Sequence, residues 1–293
     1  MMNKLMITLV LILVSPFILG QTYNEIIKKE LSFEKESSSN VFLLANIKGS
    51  VDVQGYDGNK VVLEAELFIR AKTNERLEKA KEQVSLGILD EYDSILVFIQ
   101  GPCGAENVGV RSYDDEKSKW RYCWNNCNYS YDFKLDFKLK IPKDLNVYLS
   151  TVNDGKITVK DVNGSLDLHN VNGDISATGV KGYTYVHSVN GDIALEFDNT
   201  PQPNSSYYTL NGDIKAYLPS TFKADVTFKS FNGDIYTDFE GIEQKPMLLA
   251  KNDESKVKGT SFKVEARSVI SFGGGGPRLD FETFNGDAYI KKK

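Results

Sequence analysis

Five aspartates, Asp174, Asp192, Asp213, Asp234 and Asp287, each directly follow an Asn-Gly pair. Carboxylates that recur at one place in a repeat can line up at the spacing of neighbouring strands, about 4.8 Å. Like charges that close repel unless a cation neutralises them, and calcium takes oxygen ligands of this kind. Asp174, Asp192, Asp213 and Asp234 are therefore the candidate metal ligands. The competing reading is turn chemistry, in which an aspartate after glycine hydrogen-bonds nearby backbone and points to water. Turn chemistry is the reading adopted, so no cofactor is expected, and calcium is the one metal the pattern could serve. The two histidines, His169 and His187, lie 18 residues apart. No third ligand is evident beside them, so a stacked, solvent-exposed pair of imidazoles is expected and not a zinc site.

The three cysteines are Cys103, Cys123 and Cys127. An odd count leaves one thiol free or paired outside the chain. Their spacing, with neither histidine near, does not match a zinc framework. Cys123 with Cys127 is the preferred disulfide, because Asn125 and Asn126 can make the tight turn between them. Cys103 with either one competes. Held in an extended strand, Cys123 and Cys127 would lie about 13 Å apart and could not bridge. Aromatics crowd the same segment, among them Tyr113, Tyr129 and Tyr131. Trp120, Tyr122 and Trp124 are the candidate ligand-binding residues, since aromatics grouped on a loop take sugar rings or a protein partner. Alternatively they form a small core that packs on the end of the fold.

Gly273 to Gly276 lacks the lysine and the helix that a phosphate loop requires. No nucleophile elbow, no His-Glu-x-x-His and no placeable Ser/His/Asp grouping occurs. A noncatalytic protein is expected. The alternative is a carbohydrate-active enzyme on a β-helix, which would hold two carboxylates about 5 to 10 Å apart in a groove.

The elements that position these residues are mostly strands. Val51 and Val53, then Val61, Leu63 and Ala65, alternate with polar residues around the turn signal Asp57-Gly58. Thr73 to Val84 has no glycine and places Leu77, Ala80 and Val84 at helical spacing, with Thr73 or Asn74 as cap. Ser94 to Ile99, Phe133 to Ile141 and Leu145 to Leu149 read as strands. Thr22 to Ser32 reads as a short helix or an ordered arm.

Glycines then fall at 155, 164, 173, 182 and 191, nine residues apart, with further copies at Gly212, Gly233 and Gly286. The unit has apolar positions at i, i+2 and i+5: Ile157, Val159, Val162; Leu166, Leu168, Val171; Ile175, Ala177, Val180; and Thr184, Val186, Val189. A half-buried hairpin strand needs strict alternation, which the step of three breaks. A bend there would restore inward pointing, as the corner of a coil does. The pattern predicts an all-β parallel β-helix or β-solenoid with Asn-Gly corners, tolerant of positive φ, and an 18-residue coil of two faces. The calcium-binding β-roll shares the nonapeptide period but has two more glycines per unit, so its geometry is borrowed and its metal is not.

Lys4 followed by the apolar run Leu5 to Leu19 and the small Gly20 predicts an export signal over 1–20, short for a membrane span. An N-terminal arm over 21–40 and one β-solenoid domain over 41–293 follow, with insertions at 70–131 and 241–276. After signal removal no membrane span is expected, and the periplasm, the cell surface or secretion is the expected destination. A net charge of −5 argues against nonspecific nucleic-acid binding, which needs basic surface.

Several blocks in order carry a resemblance: N-I-K-G-S-V-D-V-Q-G-Y-D-G before V-V-L-E-A, F-K-L-K-I-P before L-N-V, the N-G-D-I series, and the closing L-D-F-E-T-F-N-G-D-A-Y-I. From about Phe33 to the C-terminus the chain resembles the bacterial "putative adhesin" domains of unknown function, the adhesin-head or GIN-type family. The resemblance implies an exported or envelope-associated β-solenoid with no assigned activity. The adhesin label there is itself inferred from fold and says little about function; an unknown envelope protein or glycan is the expected partner. This chain departs from the family pattern at the cysteine-rich segment and at Gly241 to Gly276.

Overall fold

The structure is a computed structural model that describes residues 20–101, 129–253 and 262–293. Its strands alternate buried and exposed residues almost throughout, as two packed sheets with one outer face each require. The first elements are β1 (Gln21–Leu31), β2 (Val41–Ala45), β3 (Val51–Tyr56), β4 (Val61–Ala71), α1 (Asn74–Gln83), β5 (Ser85–Glu91) and β6 (Ser94–Gln100). Next come β7 (Tyr131–Pro142), β8 (Asn146–Thr151), β9 (Ile157–Lys160), β10 (Leu166–Asn172) and β11 (Ile175–Val180). They are followed by β12 (Thr184–Asn190), β13 (Ile193–Phe197), β14 (Ser206–Asn211) and β15 (Ile214–Leu218). The last are β16 (Ala224–Lys229), β17 (Ile235–Thr237), β18 (Glu243–Asp253), β19 (Phe262–Phe272), β20 (Arg278–Asn285) and β21 (Ala288–Lys292).

Each coil of the solenoid sends one strand to each sheet. The first sheet runs β1-β4-β7-β3-β9-β11-β13-β15-β21-β17, and the second runs β18-β19-β16-β20-β14-β12-β10-β8-β2-β6-β5. The coil strands pair in parallel, with Leu166 opposite Thr184 as an 18-residue coil demands and Tyr185 opposite Ser206 where the coil lengthens. The core lies between the sheets and includes Leu149, Ile157, Leu168, Ile175, Val186, Ile193, Tyr207 and Ile214. Chain order and stacking order part company at the end. The last coil, β20 and β21, lies between β14–β15 and β16–β17, paired in parallel on both sides.

The Asn-Gly corner is built by close stacking. Gly155, Gly173, Gly191, Gly212, Gly286 and Gly233 pile up so closely that a Cβ on any of them would collide with the carbonyl of the glycine one coil away. Positive φ is adopted at this corner only by Gly212 and Gly286 among those six, so the expectation of left-handed turns gives way to a steric reason for glycine. Outside the corner, the asparagine amides of the same coils bond in series. Asn172 donates to Asn153, Asn190 to Asn172, Asn211 to Asn190, Asn285 to Asn211 and Asn232 to Asn285, each at 2.8 Å. Inside it, buried Thr151 donates to the Gly49 carbonyl at 2.9 Å, Asn170 to Gly155 at 3.1 Å and Thr209 to Gly191 at 2.9 Å. These short polar side chains satisfy carbonyls that the tight corner would otherwise strand in the core.

Four expectations change. The i+5 residue points inward only on alternate half-coils: Val162 and Val180 are buried, whereas Val171 is 37% exposed. After Leu166 and Leu168 the alternation simply continues to Asn170, which is needed inside to reach the corner carbonyls. Residues 21–31 are not a helix: the arm is ordered as the strand β1, antiparallel to β4, with Tyr23, Ile27 and Leu31 packed on the core. Charged Glu25 and Lys29 share that strand face and disguise its apolar side. The stretch 70–131 is not wholly an insertion, since β6 joins the second sheet beside β2 with Ile95, Val97 and Ile99 in the core. The stretch 241–276 holds β18 and β19, which extend the same sheet by antiparallel pairing.

The helix forms as expected. Thr73 Oγ1 accepts the Arg76 N–H, and Leu77 and Ala80 are buried against β4, β1 and β7. The edges of the first sheet are charged β1 at one side and a strand of only three residues, β17, at the other, both of which discourage edge-to-edge pairing.

Candidate functional site

The aspartates do form the expected ladder, and its geometry is that of turn chemistry across coils. Asp174 Oδ1 accepts the backbone N–H of Asp192 at 2.9 Å, Asp192 that of Asp213 at 2.9 Å, Asp213 that of Asp287 at 3.0 Å and Asp287 that of Asp234 at 2.9 Å. One carboxylate oxygen per coil is thus committed to the backbone. Lys215 Nζ stands 3.5 Å from Asp192 and 3.6 Å from Asp213 and neutralises part of the ladder's charge.

Trp120, Tyr122, Trp124, Cys103, Cys123 and Cys127 lie outside the described residues, as does residue 113. At the root of that segment, Tyr129, Tyr131 and Phe133 pack with ring centroids 5.2 to 6.4 Å apart. The Tyr131 hydroxyl donates to Gln83 at 2.9 Å, and burial pushes its pKa up to about 12.

The histidines mark a site that sequence reading only half saw. On the outer face of the second sheet, parallel register places Tyr148, Asp167, Tyr185, Ser206 and Asp280 in one row. Two residues along, Ser150, His169, His187, Tyr208 and Glu282 make the next. Both rows project outward because the residues between them, Leu149, Leu168, Val186 and Tyr207, fill the core. The rings lean on one another. His169 is 5.3 Å from Tyr148, 5.6 Å from Tyr185 and 5.7 Å from His187 by centroid, and His187 is 4.6 Å from Tyr208. Asp167 anchors the group with an oxygen 2.6 Å from His169 Nε2. Tyr148, Tyr185 and Tyr208 were missed because each fills a polar-looking position of a different coil. Only offsets of 18, 19 and 21 residues bring them beside the histidines.

Burial, then Asp167 and Tyr185, push the Tyr148 hydroxyl up to about 12, and burial with Asp167 raises Tyr185 and Tyr183 as well. Tyr148, Tyr183 and Tyr185 are therefore held as neutral phenols. His187 is held below the ordinary imidazole value, first by burial and then by His169, against an opposing pull from Asp167. The folded protein binds this proton more weakly than the unfolded chain does. Stability linked to His187 is whole above the unfolded pKa of about 6.5 and is lost as pH falls below it toward the folded value. The melting temperature of the native protein is expected to drop more between about pH 7.5 and 5 than that of His187→Gln. Parallel curves for the two would refute the assignment.

This face offers ring surfaces and hydroxyls. Its two row-mates with carboxylates, Asp167 and Asp280, sit three strands apart, about 14 Å. That is wider than the 5 to 10 Å span of a glycosidase pair. Asp280 and Glu282 instead join Arg267 and Arg278 in an ion-pair cluster at the end of the rows.

Coils stacked on glycine corners, with one strand per coil in each of two sheets, define a two-sheet β-solenoid. Residues 143–267 match the family model described as Toastrack DUF4097. The adhesin-type domain of unknown function implied by the sequence blocks agrees with that match. No curated protein matches the chain. Among solved structures, it is similar to a "putative cell adhesion protein" from Clostridium sporogenes, at 12% identity and a TM-score of 0.45, over 93% of this chain and 100% of that one. A "putative adhesin" from Bacteroides fragilis is 11% identical, with a TM-score of 0.36 over 92% and 97% of the two chains. A "putative lipid binding protein" from Parabacteroides distasonis is 10% identical, with a TM-score of 0.34 over 94% and 98%. Among the described residues no helix is long and apolar enough to cross a membrane.

Proposed function

We propose that this chain is an exported, noncatalytic binding protein of the cell envelope or surface, which holds a glycan against the outer face of its second sheet. The observation that carries this reading is the continuous ring surface made by Tyr148, His169, Tyr185, His187 and Tyr208. Sugar rings present C–H faces that pack on aromatic rings, while hydroxyls and imidazoles orient them by hydrogen bonds. A sheet pinned by parallel pairing on both sides keeps such a surface preformed, so little freedom is lost on binding. Export follows from the apolar N-terminal segment, and Trp120, Tyr122 and Trp124 remain candidates for a second contact with the ligand.

The test is a panel of neutral cell-wall and capsular glycans, read by affinity, with Tyr185→Ala/Tyr208→Ala as the variant. An affinity for at least one glycan that falls about tenfold or more in the variant, with an unchanged melting temperature, is the expected result. Equal binding by both proteins would sink the assignment of the face. Turnover of any glycan in the panel would favour the enzyme instead. Fractionation of the native cells checks the location.

A further inference from the structure

The first sheet carries a second surface of opposite chemistry. Where β7, β3 and β9 lie side by side, register places Lys138, Asp52 and Thr158 in one outward row and Lys140, Gln54 and Lys160 in the next. With Lys156 they line a shallow cleft of about 690 Å³. The charge is concentrated. Elsewhere lysines such as Lys48, Lys134, Lys143, Lys229 and Lys245 sit within ion-pair distance of a carboxylate. Among the described residues, no carboxylate lies within ion-pair distance of Lys138, Lys140, Lys156 or Lys160. Glu64, across the strand pair from Lys138, is engaged by Lys28 at 2.9 Å, and Lys138 adds a weaker pull on it. A chain with net charge −5 thus keeps four unpaired cations on one face.

We propose that this cleft binds an acidic polysaccharide, a chain of sugars bearing carboxylates at intervals. Lys138 and Lys140 are about 7 Å apart along β7, and Lys140 and Lys160 about 10 Å apart across β3. One small anion can meet two of these ammonium groups at most, whereas a polymer with spaced charges engages them all. Between the lysines the cleft supplies groups that suit hydroxyls. Asp52 is an acceptor and Thr158 is both donor and acceptor. Gln54 spends its amide N–H groups on Gly55 and Asp161 at 3.0 and 2.8 Å, which leaves its carbonyl oxygen to accept. Nucleic acid fits poorly, because its dense phosphate charge would meet Asp52 and Glu64 in the same cleft. The site shares no residue with the tyrosine and histidine face and does not depend on it.

The experiment measures binding of the mature chain to polygalacturonic acid at low and at physiological salt. Dextran, polyglutamate and single-stranded DNA are the comparison probes. The native protein is expected to bind polygalacturonic acid in preference to all three and to weaken as salt rises. Lys138→Gln/Lys140→Gln/Lys160→Gln should lose at least tenfold in affinity, and the matching triple arginine variant should retain it. The Tyr185→Ala/Tyr208→Ala protein should bind polygalacturonic acid as the native one does. Absence of binding, salt-independent binding, or an unchanged affinity in the glutamine variant each overturns the site. Equal affinity for polyglutamate or DNA overturns the sugar assignment. Loss in the glutamine variant that the arginine variant shares overturns the role of charge.

Discussion

A chain that stops at Pro277 is expected to lose the far end of its stack and not merely its last coil. β20 and β21 complete the sequence, yet they lie inside both sheets, with β14 and β15 on one side and β16 and β17 on the other. Without them, Tyr207 loses Phe281 at 4.8 Å, and the core loses Leu279, Ala288 and Ile290. Asn285 drops out of the amide series between Asn211 and Asn232, and Gly286 drops out of the corner between Gly212 and Gly233. In a solenoid stacked in chain order, removing an end coil costs one interface. Here two interfaces go: β16 loses β20, β17 loses β21, and β18 and β19 stay joined to the sheet through β16 alone. The truncated protein should show proteolytic cleavage across residues 219–277 and a melting temperature lower by about 10 °C or more. Protection of β16 and β19 equal to that in the full chain would show that the two flanking coils can close the gap by themselves.

Gly191→Ala should be nearly as damaging. The added Cβ would lie 2.5 Å from the carbonyl carbon of Gly173 and closer to its oxygen, so backbone must move on two coils at once. Parallel pairing on both neighbours, β10 and β14, resists that movement. A cost of about 4 kcal/mol or more is expected, in the range reserved for core disruption. Gly241→Ala is the control. Its φ is +66° and nothing lies within 4 Å of the added Cβ, so only the left-handed backbone penalty of about 1–2 kcal/mol applies. Urea or thermal unfolding of the two variants separates the steric reason for glycine from the conformational one. Similar losses in both would assign the corner to backbone preference instead of stacking.

The solenoid was legible because coil length is a sequence property. The glycine period of nine places His169 opposite His187, and the two are paired across β10 and β12. The place of the last coil was not legible. Asn285-Gly286-Asp287 reads like every other copy, and nothing local distinguishes a coil added at the end from one inserted two strands earlier. Apolar spacing misled at Val171, because the residue that must face inward there is Asn170, a polar side chain chosen for its hydrogen bonds. The candidate sites were legible to the extent that they rest on period. His169 and His187 share an exact coil offset. Tyr148, Tyr185 and Tyr208 depend on coils of unequal length, and the lysine cleft depends on β7 lying next to β3 across an interval of some eighty residues. Aspartate after Asn-Gly was expected to bond its own local backbone, whereas its partner is the backbone N–H of the next coil.

The asparagine series has an electrical consequence. Every amide from Asn153 to Asn232 points the same way, with its nitrogen toward the Asn153 side and its oxygen toward the Asn232 side. Dipoles aligned head to tail add, as peptide dipoles do along a helix, and hydrogen bonds in a chain polarise one another. One edge of the solenoid is therefore a side-chain macrodipole running along the stacking axis. Its negative pole is the Asn232 carbonyl and its positive pole the Asn153 amide, so a cation approaching this edge is drawn toward the end where β17 closes the first sheet.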